Sequence, residues 1–268
     1  KAIALCTGLT LAFIFVDFVS ELWSPLEFLG PWSPFQYYNP TAIVQSGTVP
    51  WEPYVFGDSY LGAPLEVWRP SGPCRLLVFA AIHGEEGETT TALSMALRHL
   101  TDPSPHCAVV LTANPDGLIR GTRCNARGVE LNRNFPTGDW QSKPVLHRAK
   151  LDGPREVALS PGAEPGSEPE TQALIALIRD LEPEAVVALH APLACIDDPN
   201  DSELGRWLAE RTGLPLVPDV GYPTPGSFGT WGAEQGLPVV TYEFGLVTPD
   251  EVSRVHVPVL VDLLQQPI

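Results

Sequence analysis

The sequence has few basic side chains. Its 268 residues include 16 Lys and Arg against 32 Asp and Glu, which gives a formal net charge of −16. Phosphate groups repel a protein with this charge, so nucleic acid and anionic membrane are not expected as main partners. The basic residues are also unevenly placed, because eight of the sixteen lie between residues 120 and 155. We interpret this local basic segment as the binding region for an anionic ligand.

Paired cysteines are absent as well. The five cysteines are an odd number and include no C-x-x-C pair. Neither a disulfide framework nor a thiolate zinc site is therefore expected. Reduced and mostly buried thiols are expected instead, as in a cytoplasmic protein.

The start of the chain differs in composition from the rest. Residues 1–20 are apolar over about the length of a signal anchor, with Asp17 as an interruption and no A-x-A cleavage site. This segment is interpreted either as a membrane anchor or as the product of a wrongly started reading frame, and membrane contact is expected only through it. Residues 21–53, rich in Trp, Pro, Phe and Tyr, are predicted to form an irregular arm, and residues 54–268 a single domain.

From about residue 54, short apolar runs alternate with helical segments. The runs at 75–82, 107–113, 185–189 and 238–242 are predicted strands. This alternation is typical of an α/β domain with a mainly parallel mixed sheet flanked by helices.

Three helices have recognisable ends. A capping box of Ser167 and Glu170 predicts a helix through about Leu181. A second helix is predicted over 201–212, ended by Gly213. For the last helix the start is predicted at Thr248-Pro-Asp-Glu251, which supplies an N-cap, an N1 proline and an N3 acid.

Histidines and glutamates follow the predicted strands. His83 and Glu86 follow the first run, His190 the third and Glu243 the last. Because strand carboxyl ends line a common crevice in open α/β sheets, we expect these side chains to meet. Two imidazoles and one carboxylate leave a tetrahedral Zn²⁺ with an open fourth position, and an unligated Glu beside it can take a proton from water. The pattern predicts metal-assisted hydrolysis.

The H-x-x-E spacing alone has low specificity, and Glu85 or Glu88 could serve as well as Glu86. Two further blocks raise the specificity, N-P-D-G at 114–117 and G-V-E-L-N-R-N at 128–134. In this order, with a later strand-end His and a Glu on the last strand, the motifs resemble the carboxypeptidase A-like zinc peptidases. Within that family the chain resembles the murein tripeptide amidases, through stretches at 61–65, 165–174, 192–199, 202–209 and 225–231. The resemblance covers about residues 54 to 264.

This resemblance implies a zinc carboxypeptidase-like fold, with residues 54–268 as the catalytic domain. It implies one Zn²⁺ per chain, held by His83, Glu86 and His190. By the same resemblance Glu243 is the general base.

The family also implies how the substrate is held. Arg123 takes the place of the arginine that polarises the scissile carbonyl, with Arg120 as a second candidate. Asn132 and Arg133 match the pair that holds the terminal carboxylate of the substrate, where a guanidinium can make two parallel hydrogen bonds. An exopeptidase is therefore implied.

The implied substrate is the murein tripeptide L-Ala-γ-D-Glu-meso-diaminopimelate. Hydrolysis of the γ-D-glutamyl to diaminopimelate amide would release diaminopimelate for peptidoglycan recycling. Diaminopimelate carries a second ammonium and carboxylate at its far end, and the candidates to bind these groups are Asp197, Asp198 and the segment 224–227. The tyrosine that digestive carboxypeptidases use has no clear counterpart, although Tyr222 and Tyr242 are near in sequence.

Several alternatives stay open. Family members of this kind act in the cytoplasm, whereas the segment 1–20 would favour a membrane-anchored protein; a homodimer is compatible with the resemblance. A related zinc acylase for N-acyl amino acids, such as succinylglutamate or N-acetylaspartate, shares the N-P-D-G and G-V-E-L-N-R-N blocks. A module that binds peptidoglycan fragments without catalysis would lack a ligand or the base, and all four residues are present.

Overall fold

Residues 51–69, 72–100, 104–149 and 155–265 are described by the computed structural model. The predicted segment 1–20 and most of the predicted arm 21–53 lie outside these residues. The proposed boundary of the domain at residue 54 stays a prediction.

The described residues contain ten strands, eight of them in one sheet and two in a separate hairpin. The strands are β1 (Glu52–Asp58), β2 (Pro64–Arg69), β3 (Leu76–Phe79), β4 (Cys107–Val110), β5 (Val145–Ala149), β6 (Arg155–Leu159), β7 (Ala185–His190), β8 (Cys195–Asp197), β9 (Leu216–Val217) and β10 (Val239–Glu243).

The large sheet has the order β1-β2-β4-β3-β7-β10-β8-β9. Its inner strands β4, β3, β7 and β10 are parallel to one another. Antiparallel pairs join β1 to β2, β2 to β4, and β10 to β8. The predicted α/β class with a mainly parallel mixed sheet is confirmed, and the inner strands place their carboxyl ends at one edge.

Helices cover both faces of this sheet. Successive residues of β3 alternate between two apolar cores, with Leu76 and Val78 in one and Leu77 and Phe79 in the other, as the two-residue period of a strand requires. The helices are α1 (Gly87–His99), α2 (Pro115–Arg120), α3 (Pro169–Leu181), α4 (Glu203–Thr212), α5 (Phe228–Glu234), α6 (Pro249–Glu251) and α7 (Val257–Gln265), with a 3-10 turn at Leu131–Arg133 and a π turn at Val252–His256.

Two of the three predicted helix ends are confirmed. Gly213 ends α4 in the left-handed conformation, with φ of 72°. Thr248 is the N-cap of α6, with Pro249 at N1 and Glu251 at N3 as predicted, and the side chains of Thr248 and Glu251 form a capping box. None of the helices in the described residues is long and apolar enough to cross a membrane.

The predicted capping box of Ser167 and Glu170 is wrong. Helix α3 begins at Pro169, and its N-cap position is Glu168, without a side-chain cap. Glu170 cannot close a box because its carboxylate accepts hydrogen bonds from the Tyr60 amide at 2.9 Å and from Asn125 at 3.1 Å. A tertiary contact has replaced the local one.

Candidate active site

The site lies at the carboxyl ends of two neighbouring inner strands. His190 is the last residue of β7 and Glu243 the last residue of β10. The parallel register pairs these two residues directly. Both side chains therefore emerge side by side at the same edge of the sheet.

His83 and Glu86 come from the turn between β3 and α1. The predicted strand runs too long here, because β3 ends at Phe79 and the chain turns at Ala81, whose φ is 49°. Glu86 immediately precedes α1. This turn brings Nδ1 of His83 to 2.7 Å from Oε1 of Glu86.

Gly84 lets this turn approach the N-P-D-G block closely. A Cβ atom at Gly84 would lie 2.1 Å from the carbonyl carbon of Gly117 and 2.3 Å from the Leu118 nitrogen. Asn114 adds a hydrogen bond from its side-chain amide to the Ile82 carbonyl at 3.2 Å. The two sequence blocks thus pack together as one unit that positions His83 in the site.

We expect Gly84→Ala to destabilise the protein by about 1–3 kcal/mol, because the added methyl group meets backbone that cannot rotate away. The same displacement should weaken metal binding. Gly87→Ala is the matched control, since its Cβ would meet Leu118 at an ordinary 3.6 Å. Thermal unfolding and zinc titration of both variants check this; equal behaviour of the two would contradict the packing argument.

Three buried donor atoms converge at the strand ends. His83 and His190 are each 3% exposed, and Glu86 is 4% exposed. The Nδ1 atoms of His83 and His190 lie 3.2 Å apart, and Oε2 of Glu86 lies 3.2 Å from Nδ1 of His190. Within the described residues, this is the single group of at least three His, Cys, Asp or Glu side chains whose donor atoms lie within 4.8 Å of one another.

This geometry fits a tetrahedral metal ion. Two ligands at zinc–nitrogen distances of 2.0–2.1 Å are roughly 3.3 Å apart, close to the spacing observed between the histidine nitrogens. Oε2 of Glu86 is buried and, apart from the 3.2 Å approach of His190, has no hydrogen-bond partner, a costly state for a carboxylate without a cation. Two imidazoles and a carboxylate are also the donor set of open catalytic zinc sites.

Charges around Glu86 hold it ionised. Although burial opposes ionisation, His83 and His190 keep the pKa of the Glu86 carboxyl well below its usual range. Glu85 is not one of the converging donors, and its Oε1 lies 3.5 Å from both Nη1 of Arg123 and Nε2 of His147. The structure therefore separates Glu86 from Glu85, which the spacing alone did not.

Glu130 is a site residue that sequence reasoning missed. It is 1% exposed, and its Oε1 lies 3.4 Å from Nε2 of His83 and accepts a hydrogen bond from Nε of Arg123 at 2.8 Å. A carboxylate on the far nitrogen of a metal-binding histidine fixes the ring orientation and raises its basicity. An acid within the apolar G-V-E-L run was the available signal, because such a charge is rarely buried without a partner.

Arg123 connects the three candidate metal ligands, His83, Glu86 and His190, to Glu130. Besides its bond to Glu130, its Nη1 lies 3.3 Å from Oε1 of Glu86. The structure places this guanidinium at the edge of the site, and its predicted action on the scissile carbonyl stays a prediction. The second candidate, Arg120, is exposed on α2 and donates to the Ala126 carbonyl at 3.5 Å.

Glu243 lies next to the three candidate metal ligands and is not one of them. It is 7% exposed, and its Oε2 accepts a hydrogen bond from the Leu193 amide at 3.3 Å. Burial, with a contribution from Glu86, raises the pKa of the Glu243 carboxyl above its ordinary value despite the opposing effect of His190. A carboxylate with a raised pKa is a better proton acceptor.

A buried guanidinium provides the anion-binding part of the site. Arg133 is 4% exposed, and its Nε has no hydrogen-bond partner, while Nη1 donates to the Asn132 carbonyl at 2.5 Å. Burial lowers the pKa of Arg133 from its high ordinary value. The Asn132 side chain accepts from the Phe228 amide at 2.8 Å through Oδ1, so its amide group remains a donor.

All seven predicted site residues line one cavity of about 420 Å³. The basic segment contributes less than predicted, because Arg120, Arg127 and Lys143 are exposed and do not line this cavity. The residues brought together are His83, Glu86, Arg123, Asn132, Arg133, His190 and Glu243.

The remaining candidates are separated by their contacts. Tyr222 lines the cavity, whereas Tyr242 is fully buried and its hydroxyl bonds His256 at 2.6 Å. Asp198 is engaged before α4, where it accepts from the Ser202 amide and hydroxyl at 2.7 and 2.6 Å. Ser227 lines the cavity and caps α5. The last candidate, Asp197, is considered below.

The fold and the site together define a metal-dependent hydrolase of the α/β class. Residues 52–196 match the zinc carboxypeptidase family. The chain belongs to this family, whose members are zinc-dependent peptidases.

Relatives with known names share most of the chain. Murein peptide amidase A of Escherichia coli (strain K12) is 47% identical over 214 residues, which are 78% of this chain and 88% of that protein. The protein of the same name from Vibrio campbellii is 41% identical over 216 residues, 80% of this chain and 87% of that protein.

Solved structures agree with this assignment. The crystal structure of murein-tripeptide amidase MpaA from Escherichia coli O157 has a TM-score of 0.77 and 42% identity, and the match covers 86% of this chain and 98% of that one. Bovine thrombin-activatable fibrinolysis inhibitor has a TM-score of 0.66 at 18% identity, covering 84% of this chain and 92% of that one. The second match shows the fold alone.

Proposed function

We propose that this protein is a zinc-dependent amidase that hydrolyses the γ-D-glutamyl to meso-diaminopimelate bond of murein tripeptide and releases diaminopimelate. The observation that carries the proposal is one cavity lined by a buried His-Glu-His group, a nearby carboxylate and a buried guanidinium with an unpartnered nitrogen. The names of the two amidase relatives support the choice of substrate.

His83, Glu86 and His190 would hold one Zn²⁺ per chain. When bound, this ion would act as a Lewis acid, which makes water more acidic and an amide carbonyl more electrophilic. Glu130 would keep the ring of His83 oriented toward the ion, since it faces the other ring nitrogen.

Glu243 would move the proton. Its Oε2 is held by the Leu193 amide, so we assign proton transfer to Oε1. This oxygen would accept a proton from the attacking water and then deliver it to the leaving amine nitrogen, which completes hydrolysis of the amide. The raised pKa of Glu243 suits both steps, because the group must take up and release a proton.

Arg133 would fix the end of the substrate. A terminal carboxylate beside the scissile bond can accept hydrogen bonds from the guanidinium and from the Asn132 amide. Since the guanidinium is buried, the carboxylate would bind in a region of low dielectric, where charge pairs are strong. Only a chain end can present such a group, which makes the proposed enzyme an exopeptidase.

We expect Arg133→Ala to weaken substrate binding by roughly 2–5 kcal/mol, because it removes one partner of a buried charge pair. The effect should appear mainly in KM. Arg133→Lys keeps the charge but loses the two-pronged geometry, and Arg179→Ala removes an exposed arginine on α3 as a control. Steady-state kinetics on the tripeptide check this, and an unchanged KM for Arg133→Ala would refute the assignment.

A panel of substrates tests the proposed specificity. The zinc-loaded protein is given L-Ala-γ-D-Glu-meso-diaminopimelate, N-succinylglutamate and N-acetylaspartate under identical conditions. We expect release of diaminopimelate and little hydrolysis of either N-acyl amino acid. Preferential hydrolysis of an N-acyl amino acid would replace the amidase with the acylase alternative.

The proposed location of this reaction is the cytoplasm. Cys74, Cys107, Cys124 and Cys195 are free and buried, as expected in a reducing compartment. Fractionation with an antibody against the catalytic domain checks this, and recovery in the membrane fraction would favour the anchored alternative.

A further inference from the structure

The floor of the cavity consists of two rows of side chains on one face of the sheet. In the upper row, Glu243 pairs with His190 on one side and Cys195 on the other. Two residues earlier, Thr241 pairs with Ala188 and Asp197. Side chains two residues apart point to the same face, and the rows are roughly 6.6 Å apart along the strands.

This register places Asp197 inside the cavity below the proposed catalytic row. Ala188, Thr241 and Asp197 all line the cavity. The residue is only partly buried, so its carboxylate remains accessible to a ligand.

The Asp197 carboxylate is also without a structural partner. Among the described residues it makes no side-chain hydrogen bond or ion pair, whereas the adjacent Asp198 accepts bonds from Asn200 and Ser202. A partly buried carboxylate without a partner is unfavourable unless a ligand supplies one. The buried, unpartnered Nε of Arg133 lines the same cavity and indicates an anionic group on the ligand, so a ligand that also carries an ammonium group would satisfy both side chains.

The surroundings of Asp197 favour a cation. Burial raises the pKa of Asp197 to about 6, with further contributions from Glu243, Asp219 and Asp198. Asp219 and Glu243 also line the cavity. The carboxylates of Asp197, Asp219 and Glu243 thus line one cavity, and an ammonium group would be attracted to all three of them.

We infer that Asp197 binds the side-chain ammonium group of the substrate's C-terminal residue, an inference that rests on the proposed function. With the terminal carboxylate at Arg133 and the amide nitrogen near Glu243, the side chain of this residue would extend along the floor toward Thr241. In diaminopimelate, three methylene groups separate the α-carbon from the carbon that carries the ammonium, so the ammonium nitrogen lies about 6 Å from the α-carbon in the extended chain. This length matches the step from the upper row to the lower one.

Asp197 would thus select the residue that is released. A terminal residue with an apolar side chain would leave the Asp197 carboxylate desolvated and unpaired, which is a strong basis for rejection. A basic or zwitterionic side chain of the same length would be accepted. The substrate class is therefore a peptide whose last residue carries an ammonium group at the end of its side chain.

The test compares two tripeptides with zinc-loaded wild type and Asp197→Asn. The first is L-Ala-γ-D-Glu-meso-diaminopimelate, and the second ends in L-2-aminopimelate, which keeps the distal carboxylate and lacks the distal ammonium. Wild type should prefer the first in kcat/KM by about tenfold or more. Asp197→Asn should lose at least about tenfold on the first and change little on the second. Asp250→Asn, on exposed α6, should behave as wild type.

The outcomes are distinguishable. Hydrolysis of the first tripeptide by wild type, with its preference retained in Asp197→Asn, would overturn the role of Asp197 and leave the proposed function standing. No hydrolysis of either tripeptide by wild type would overturn the proposed function and the inference with it. If the variant does not fold, as judged by zinc content and thermal unfolding, equal kcat/KM of wild type for the two tripeptides would still overturn the inference.

Discussion

Glu243→Gln is expected to reduce hydrolysis of the murein tripeptide by roughly 10²–10⁴-fold while zinc remains bound. The substitution keeps the size of the side chain and removes its ability to accept a proton. Glu243 is buried, and within the described residues its side chain accepts one hydrogen bond, from the Leu193 amide, so a side chain of the same size should leave the fold unchanged. Single-turnover measurement of diaminopimelate release, together with the zinc content of the variant, checks this expectation.

The control is Glu210→Gln at an exposed position of α4, which should match wild type. Full activity of Glu243→Gln would refute the assigned base. Loss of zinc from that variant would show instead that Glu243 acts as a metal ligand.

His190→Ala is expected to abolish both zinc binding and hydrolysis. Changing a residue that only supports a ligand already costs 10–100-fold in metal affinity, and removal of a direct ligand should cost more. His83 and Glu86 would remain close together, but two donors do not hold zinc in the arrangement of a catalytic site. Zinc titration by competition with a chelator, followed by an activity assay, checks this.

The matched control is His99→Ala, which removes an exposed histidine at the end of α1. It should bind zinc as wild type does. Wild-type zinc affinity in His190→Ala would contradict the proposed ligand set.

The approximate site could be predicted from the sequence because its residues follow apolar strands. Parallel inner strands bring their carboxyl ends to one edge, so His190 and Glu243 had to be neighbours once β7 and β10 were paired. The choice of Glu86 over Glu85 as a metal ligand required the structure of the turn through Ala81 and Gly84. Spacing alone does not say which of two adjacent carboxylates faces the histidines.

Other features depend on contacts that no local pattern encodes. Glu130 was missed because neither of its partners belongs to its own turn of the chain. His83 follows β3, and Arg123 precedes the G-V-E-L run. The failed capping box at Ser167 has the same origin, since Asn125 and Tyr60 engage Glu170. Asp197 and Asp198 look equivalent in sequence, and only the antiparallel register of β8 with β10 shows which one faces the cavity.

Diaminopimelate release is expected to depend on bound zinc. The metal is removed from the purified protein, zinc is returned in known amounts, and hydrolysis of the tripeptide is measured at each point. We predict no release without zinc and a linear rise that reaches its plateau at one zinc ion per chain. Release that is unaffected by removing zinc, or no release from folded protein with one zinc ion bound, would contradict this account.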